Sequence, residues 1–370
     1  MKVGIITLHH TTNYGATFQA YGLWKAIKQL GHEVEIIDYR SYQVARAHLG
    51  KCLPIRNTQI WNSQFIPYTI QAWKMRKFLI DNMNLSRKKT YTKAGLKKFS
   101  QDYDVVICGS DEIWHINSPL TGFDSSFFLD FVDPQTSRIS YAPSFSQTQS
   151  LGEHKELICN LINQFYAISV RDSHSLSLVE KCDRSAQIVL DPTLLVDFSH
   201  LQSQPKQIKE YLLLYTVKNF SSEQENWLKT WIKSNPDLKN LPIISLGKSS
   251  NIADISLISV APKEWLGYFK NASYIITNSY HGTIFSIKSE RPFTVFTSIT
   301  NVKIRDLLRK IGLESRIMTK TERDLNLEQS MNINYKPVNK ILEKEIAKSK
   351  NYLSNAIEGN KIEQLSKKAS

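Results

Sequence analysis

Apolar and polar positions fall along this chain in blocks that read as strand, turn and helix, repeated through most of its length. VGIITL (3–8) is a short apolar run. The polar turn HHTTNYG follows, then ATFQAYGLWKAIKQLG, whose apolar residues recur at helical spacing up to a stop at Gly31. HEVEIIDYR (32–40) is a second apolar run. A strand–helix–strand opening predicts a parallel, doubly wound sheet. The first loop holds one glycine, Gly15, so it is not a dinucleotide-binding fingerprint. Residues 41–100 are basic and aromatic with weak periodicity, and are expected to form a helical insertion. DYDVVICGSDEIW (102–114), SRISYAPSF (137–145), YAISV and QIVLDPTLLVD (187–197) then read as strands, with helices near 152–165 and after SVRD.

The alternation starts afresh at EYLLLYTV (210–217). LPIISLG (241–247), SYIIT and PFTVF (292–296) are further strands, with helices near 221–235, 262–270 and over TIFSIKSE. NVKIRDLLRKIGL (301–313) is an amphipathic helix; 335–358 is a longer one, and the last dozen residues are expected to be disordered. The expected domains are therefore 1–197, 198–334 and a basic helix and tail over 335–370. Two α/β domains in tandem imply a cleft, with ligands at the carboxyl ends of the strands. The length, 370 residues, also favours two cores over one.

No stretch approaches the roughly 20 apolar residues needed to span a bilayer, and MKVGIITLHHTT lacks the pattern of a signal peptide, so a cytoplasmic location is expected. Cys52, Cys108, Cys159 and Cys182 have no metal or redox spacing; Cys108 is expected to be a small buried hydrophobe and no disulfide is expected. The net charge of +13 changes the picture more, because it is uneven: residues 71–103 hold nine Lys/Arg against two Asp. Such a surface attracts anions. No nucleic-acid motif accompanies it, so the readings are solvated helix faces or peripheral contact with an anionic membrane at the inner face of the cell.

Candidate chemistry sits where strands end. In SYIITNSYHGTIFSI (273–287) a strand turns into a helix at Ser279, Tyr280, His281 and Gly282. Gly282 would let the backbone approach a ligand, and the helix end favours an anion. His281 there is a phosphate ligand or proton donor, or else a satisfied histidine capping the strand. In CGSDEIW, Asp111 follows a strand and either handles a hydroxyl proton or caps a turn; Ser110 stands beside it, and Trp114 stacks on a sugar or fills the core. Arg171 in SVRDS suits an anionic ligand, or a salt bridge to Asp172 or Asp191. His9, His10, Asn13 and Tyr14 line the first loop as candidate acceptor contacts. No P-loop, Gly-x-Ser-x-Gly or metal motif is present, and no metal site is expected.

Taken together, TTNYGATFQAYGL, GHEVEIIDYR, DVVICGSDEIW, ISYAPSF, ISVRD, VLDPTLL, APKEWLGYFKNASYIITNSYHGTIFSI and NVKIRDLLRKIGLESR resemble the polysaccharide pyruvyltransferase family. The resemblance implies two Rossmann-like domains facing a cleft, as in GT-B enzymes. It also implies transfer of a pyruvyl group from phosphoenolpyruvate onto two hydroxyls of a glycan or lipid-linked oligosaccharide, as a cyclic ketal, with no cofactor. Arg171 and His281 match the family's donor-site arginine and histidine. His281 would then protonate the enol methylene, and Asp111 would take the hydroxyl proton. The family's Arg-Leu-His stands here as Ser279-Tyr280-His281, so a cation is missing there: either Arg305, Lys288 or Lys248 replaces it, or this branch uses a different donor. The alternatives are a glycosyltransferase with a nucleotide-sugar donor and a non-catalytic glycan- or lipid-binding relative.

Overall fold

A computed structural model describes residues 1–53, 55–56, 60–61, 64–119, 121–205, 209–298, 301–318 and 331–369. The chain divides into two units. Unit 1 comprises Met1–Gln59, Arg76–Val196 and Glu343–Ser370; unit 2 comprises Ile60–Met75 and Asp197–Leu342.

Unit 1 begins with β1 (Lys2–Ile6), α1 (Tyr14–Gln29) and β2 (Glu33–Tyr39), as the opening pattern predicts. Asn13 caps α1, its side chain accepting from the Gly15 and Ala16 amides, and Gly31 ends it at a φ of 86°. Next come α2 (Tyr42–Lys51), short strands β3 (Ile55–Arg56) and β4 (Ile60–Trp61), α3 (Phe65–Asn82), β5 (Leu85–Thr90) and α4 (Lys93–Leu96). The region expected to be a helical insertion thus also carries a strand of the main sheet. β5 is an edge strand with Arg87, Lys88 and Lys89 exposed, so it lacks the buried alternation that marks a strand in sequence. β6 (Val105–Asp111) and β7 (Ser137–Pro143) complete a parallel sheet of order β5-β2-β1-β6-β7. Its register places Val3 beside both Val34 and Val105.

Beyond β7 lie α5 (Lys155–Ile162), β8 (Ser169–Val170), α6 (Ser173–Glu180) and β9 (Gln187–Ile188), β9 being far shorter than its apolar run suggests because a turn at Pro192 follows. Cys159, within α5, and Cys182, just past α6, are joined by a disulfide with Cα atoms 4.9 Å apart, which corrects the expectation of unpaired cysteines. A separation of 23 residues says nothing of that pairing; the packing of α5 against the turn after α6 does. Cys108 is buried and free, as expected. Trp114, Phe128, Phe145 and Phe165 pack together in the core under this half of the sheet.

Unit 2 is built from β10 (Leu212–Tyr215), α7 (Ser222–Ser234), β11 (Ile243–Leu246), β12 (Ile255–Leu257), α8 (Pro262–Asn271), β13 (Tyr274–Thr277), α9 (Tyr280–Lys288), β14 (Phe293–Phe296), α10 (Val302–Lys310) and β15 (Ile317–Met318). The strands are parallel in the order β12-β11-β10-β13-β14-β15. β12, exposed and only three residues long, is the strand the pattern did not reveal. A last helix, α11 (Tyr335–Ala369), runs through the residues expected to be disordered.

Two boundaries differ from those read in the sequence. Residues 60–75 belong to unit 2, where Gln71 donates to the Gly247 carbonyl at 3.4 Å and Lys74 to that of Ser259 at 2.7 Å. The chain from Glu343 belongs to unit 1, where Ser349 accepts from the Leu190 amide at 3.0 Å and Tyr352 donates to the Ser140 carbonyl at 3.0 Å. Side-chain hydrogen bonds across such sequence distances leave no local trace in composition.

Candidate active site

Each sheet reverses its winding beside its first strand, and that switch point is where open α/β sheets bind ligands. In unit 2 it lies between β10 and β13, whose register pairs Tyr215 with Thr277. The two strands release into loops stitched together by Asn278. Its Oδ1 accepts from the Val217 amide at 2.9 Å, and its Nδ2 donates to the Lys218 carbonyl at 2.8 Å. Ser279 then caps α9 by accepting from the Gly282 amide at 3.2 Å, so its hydroxyl serves the helix. Tyr280 and His281 form the first turn, both buried, with their rings edge-to-face at 5.5 Å.

Gly282 is required for packing. A Cβ there would lie 2.2 Å from Thr277 Oγ1 and 2.9 Å from the Tyr215 ring, so its role is close helix–strand contact, not ligand approach. Of the cations offered in place of the missing arginine, Lys288 lies at the far end of α9, roughly 10 Å along the axis from His281. Its ammonium is 5.4 Å from the centre of the Phe198 ring. Burial pushes it down to about 8 against the opposing pull of Asp197. Lys248, following β11, donates to Asn219 at 2.6 Å at the same carboxyl edge as His281, and burial lowers it too. Arg305 is half-buried on α10 and has no carboxylate partner among the described residues; on the same helix Lys303 reaches the Tyr280 ring at 5.8 Å.

In unit 1 the switch point is between β1 and β6. Asp111 ends β6 with a φ of 78°, a conformation few non-glycine residues adopt, and its carbonyl accepts from the Ser144 amide at 2.8 Å. Arg171 follows β8 and is committed to carboxylates. Nη1 donates to Asp191 Oδ2 at 3.0 Å, and Nη1 and Nη2 both lie 3.4 Å from Asp111 Oδ1. The Arg171 and Asp191 side chains are fully buried, whereas Asp111 keeps 14% of its side chain exposed. The salt bridge to Asp191 is therefore the reading that holds for Arg171. Its buried guanidinium lies between Asp191 and Asp111, and of the three Asp111 is the group that reaches the surface.

The candidate acceptor residues separate in the same way. Ser110 is buried, its hydroxyl donating to the Ala142 carbonyl at 2.7 Å and its amide donating to Gln19 Oε1 at 3.0 Å. Trp114 is a core residue, stacked on Phe128 at 5.1 Å with its indole N–H on the Phe127 carbonyl, so it offers no face to a sugar. Tyr14 is likewise buried. Asn13 is exposed but occupied as a helix cap, and His10 is half-buried.

A cluster that sequence reasoning missed surrounds Asp38, at the carboxyl end of β2. Arg40 Nε and Nη2 donate to its two oxygens at 2.8 and 2.7 Å, Arg76 Nη2 donates to Oδ2 at 3.1 Å, and His9 Nε2 stands 3.1 Å from Oδ1. Burial alone would raise this carboxyl, but the hydrogen bonds from His9 and Arg40 and the charge of Arg76 outweigh it and hold it far below the usual carboxylate range. IIDYR, a buried strand ending in an acid and a base, was the available signal.

Two Rossmann-like α/β units, each with polar and ionisable groups at the switch point of a parallel sheet, define the class of protein. The S. aureus MnaA structure with UDP is similar over 95% of this chain and 96% of that one, at 13% identity and a TM-score of 0.52. Anabaena HepE in complex with UDP is similar over 100% of both chains, at 8% identity and a TM-score of 0.51. Such likeness shows the fold. Comparison with curated proteins gives no match. The chain belongs to the polysaccharide pyruvyl transferase family, whose model matches residues 13–299.

Proposed function

We propose that the protein transfers the pyruvyl group of phosphoenolpyruvate onto two hydroxyls of a cell-surface glycan precursor, as a cyclic ketal. The observation that carries this reading is His281 in the first turn of α9, at the switch point of unit 2, in a chain that belongs to the family. A helix N-terminus and nearby cations suit a phosphate and a carboxylate. His281 donates a proton to the methylene carbon, which becomes a methyl group, and the adjoining carbon becomes electrophilic. A general base takes the proton of the first attacking hydroxyl. Phosphate leaves, carrying the proton of the second hydroxyl as the ring closes. In this reading Lys248, Lys303 or Arg305 of unit 2 meets the donor in place of the missing arginine.

Incubation with phosphoenolpyruvate and candidate glycans should yield products heavier by one pyruvic acid less one water, with release of inorganic phosphate. No such gain with any acceptor, beside an active relative, would overturn the reading. UDP in the two structural relatives favours a second reading, a glycosyltransferase with a nucleotide-sugar donor. Melting temperatures separate them: at a hundredfold excess over Kd the true donor adds about 2.7 kcal/mol, and the other adds nothing.

The proposed acceptor is held near an anionic membrane. Ile66, Ile70 and Trp73 recur at helical spacing on α3 and are exposed, Trp73 by 63%. Lys77 on the same helix and Arg87, Lys88, Lys89 and Lys93 beyond it are exposed cations that complement acidic headgroups. No helix among the described residues is long and apolar enough to cross a membrane. The protein should co-float with phosphatidylglycerol vesicles but not with phosphatidylcholine ones, and Ile70→Asp with Trp73→Asp should weaken partition by at least about tenfold. Equal partition of wild type and variant would remove α3 from the interaction.

A further inference from the structure

A cavity of about 510 Å³ opens beside the Asp38 cluster, wholly within unit 1 and apart from the groups assigned to pyruvyl transfer. Arg40, Arg76, Arg87 and Lys89 line it against a single carboxylate, Asp38. We propose that this cavity is a binding site for a phosphate-bearing ligand, with room for a diphosphate and the group attached to it.

Three observations carry it. First, the charge is uncompensated. Asp38 is the one acid in the lining, and Arg87 and Lys89 have no carboxylate partner among the described residues. Second, the inner cations are fixed in advance. Asp38 binds Arg40 through two hydrogen bonds and Arg76 through a third, and is itself held by His9 and by its amide's bond to Ser86 Oγ at 2.9 Å. Side chains already ordered lose little entropy on binding, and guanidinium groups match phosphate oxygens in pairs. Third, part of the lining is apolar, formed by Ile80, Met83 and Leu85, with Ile80 58% exposed. A lining of this kind beside a cluster of cations suits a phosphate joined to a hydrocarbon chain or to a sugar face.

The position agrees with an acceptor-side role. β2 is two strands from β6 in a parallel sheet, so Asp38 and Asp111 lie at the same edge, roughly 10 Å apart across the strands. A glycan held here by its phosphate would keep its nearest sugars close to Asp111. The binding itself does not depend on the reaction assigned above.

Calorimetry on the full chain with inorganic diphosphate at low salt tests the site. Saturable binding is expected, weakened at least about tenfold in Arg87→Ala/Lys89→Ala. Both residues are exposed, so the melting temperature should stay at the wild-type value. His281→Ala should bind diphosphate as wild type does, which separates this site from the phosphoenolpyruvate site of unit 2. Farnesyl diphosphate binding more tightly than diphosphate identifies a lipid-linked ligand; glucose 1-phosphate doing so identifies a soluble sugar phosphate. No saturable binding, or an affinity that Arg87→Ala/Lys89→Ala leaves unchanged, overturns the proposal. Diphosphate binding without pyruvyl transfer would sink the assigned reaction and leave this site standing.

Discussion

His281→Asn is expected to lower turnover by at least about a hundredfold while the protein stays folded. Asparagine keeps a polar side chain of similar reach in the first turn of α9. The cap from Ser279 to the Gly282 amide is untouched, and so is the contact of Gly282 with Thr277. What disappears is a group able to deliver a proton to the enol carbon. A proton donor acts in the transition state, so kcat and kcat/KM should fall together, with the melting temperature held. A rise in KM alone would make His281 a donor ligand; unchanged kinetics with lowered stability would make it a packing residue. Steady-state kinetics with phosphoenolpyruvate and thermal unfolding on the same preparations decide among the three.

Arg171→Met should cost about 3–5 kcal/mol of stability, because it leaves the Asp191 carboxylate buried without its cation. Asp191 keeps hydrogen bonds from the amide and hydroxyl of Thr193, at 3.0 and 2.7 Å, neither of which carries a charge. Against a total of about 5–15 kcal/mol, that loss brings unit 1 close to unfolding at moderate temperature. Adding Asp191→Leu removes the stranded charge, so the double variant should recover much of the loss. Denaturant unfolding of the two variants checks this. If Arg171 gripped the donor directly, the single variant would unfold like wild type and only the KM for phosphoenolpyruvate would rise.

The contrast between these two residues shows how far the sequence reached. Both were legible as polar groups at the carboxyl ends of strands. Sequence also offered each a structural alternative, and for Arg171 that alternative is the one present. Nothing near Arg171 in the chain distinguishes Asp172 from Asp191, and Asp172 instead caps α6. Ser110 and Trp114 show the same limit: a residue just past a strand faces either the ligand or the core, and the turn's geometry decides. The Asp38 cluster was missed because His9, Arg40 and Arg76 come from three separate elements and meet only when β1, β2 and α3 are packed together.

The chain by itself determined two α/β repeats, their parallel strands, most helix limits and the family, because local periodicity and short motifs are written in neighbouring residues. Only the tertiary structure decided the strand order that creates the switch points, the edge strands β5 and β12, the pairing of Cys159 with Cys182 and which unit holds residues 60–75. Those features arise from contacts between residues far apart in sequence. Their energy depends on distance and burial in space, and no local pattern encodes either.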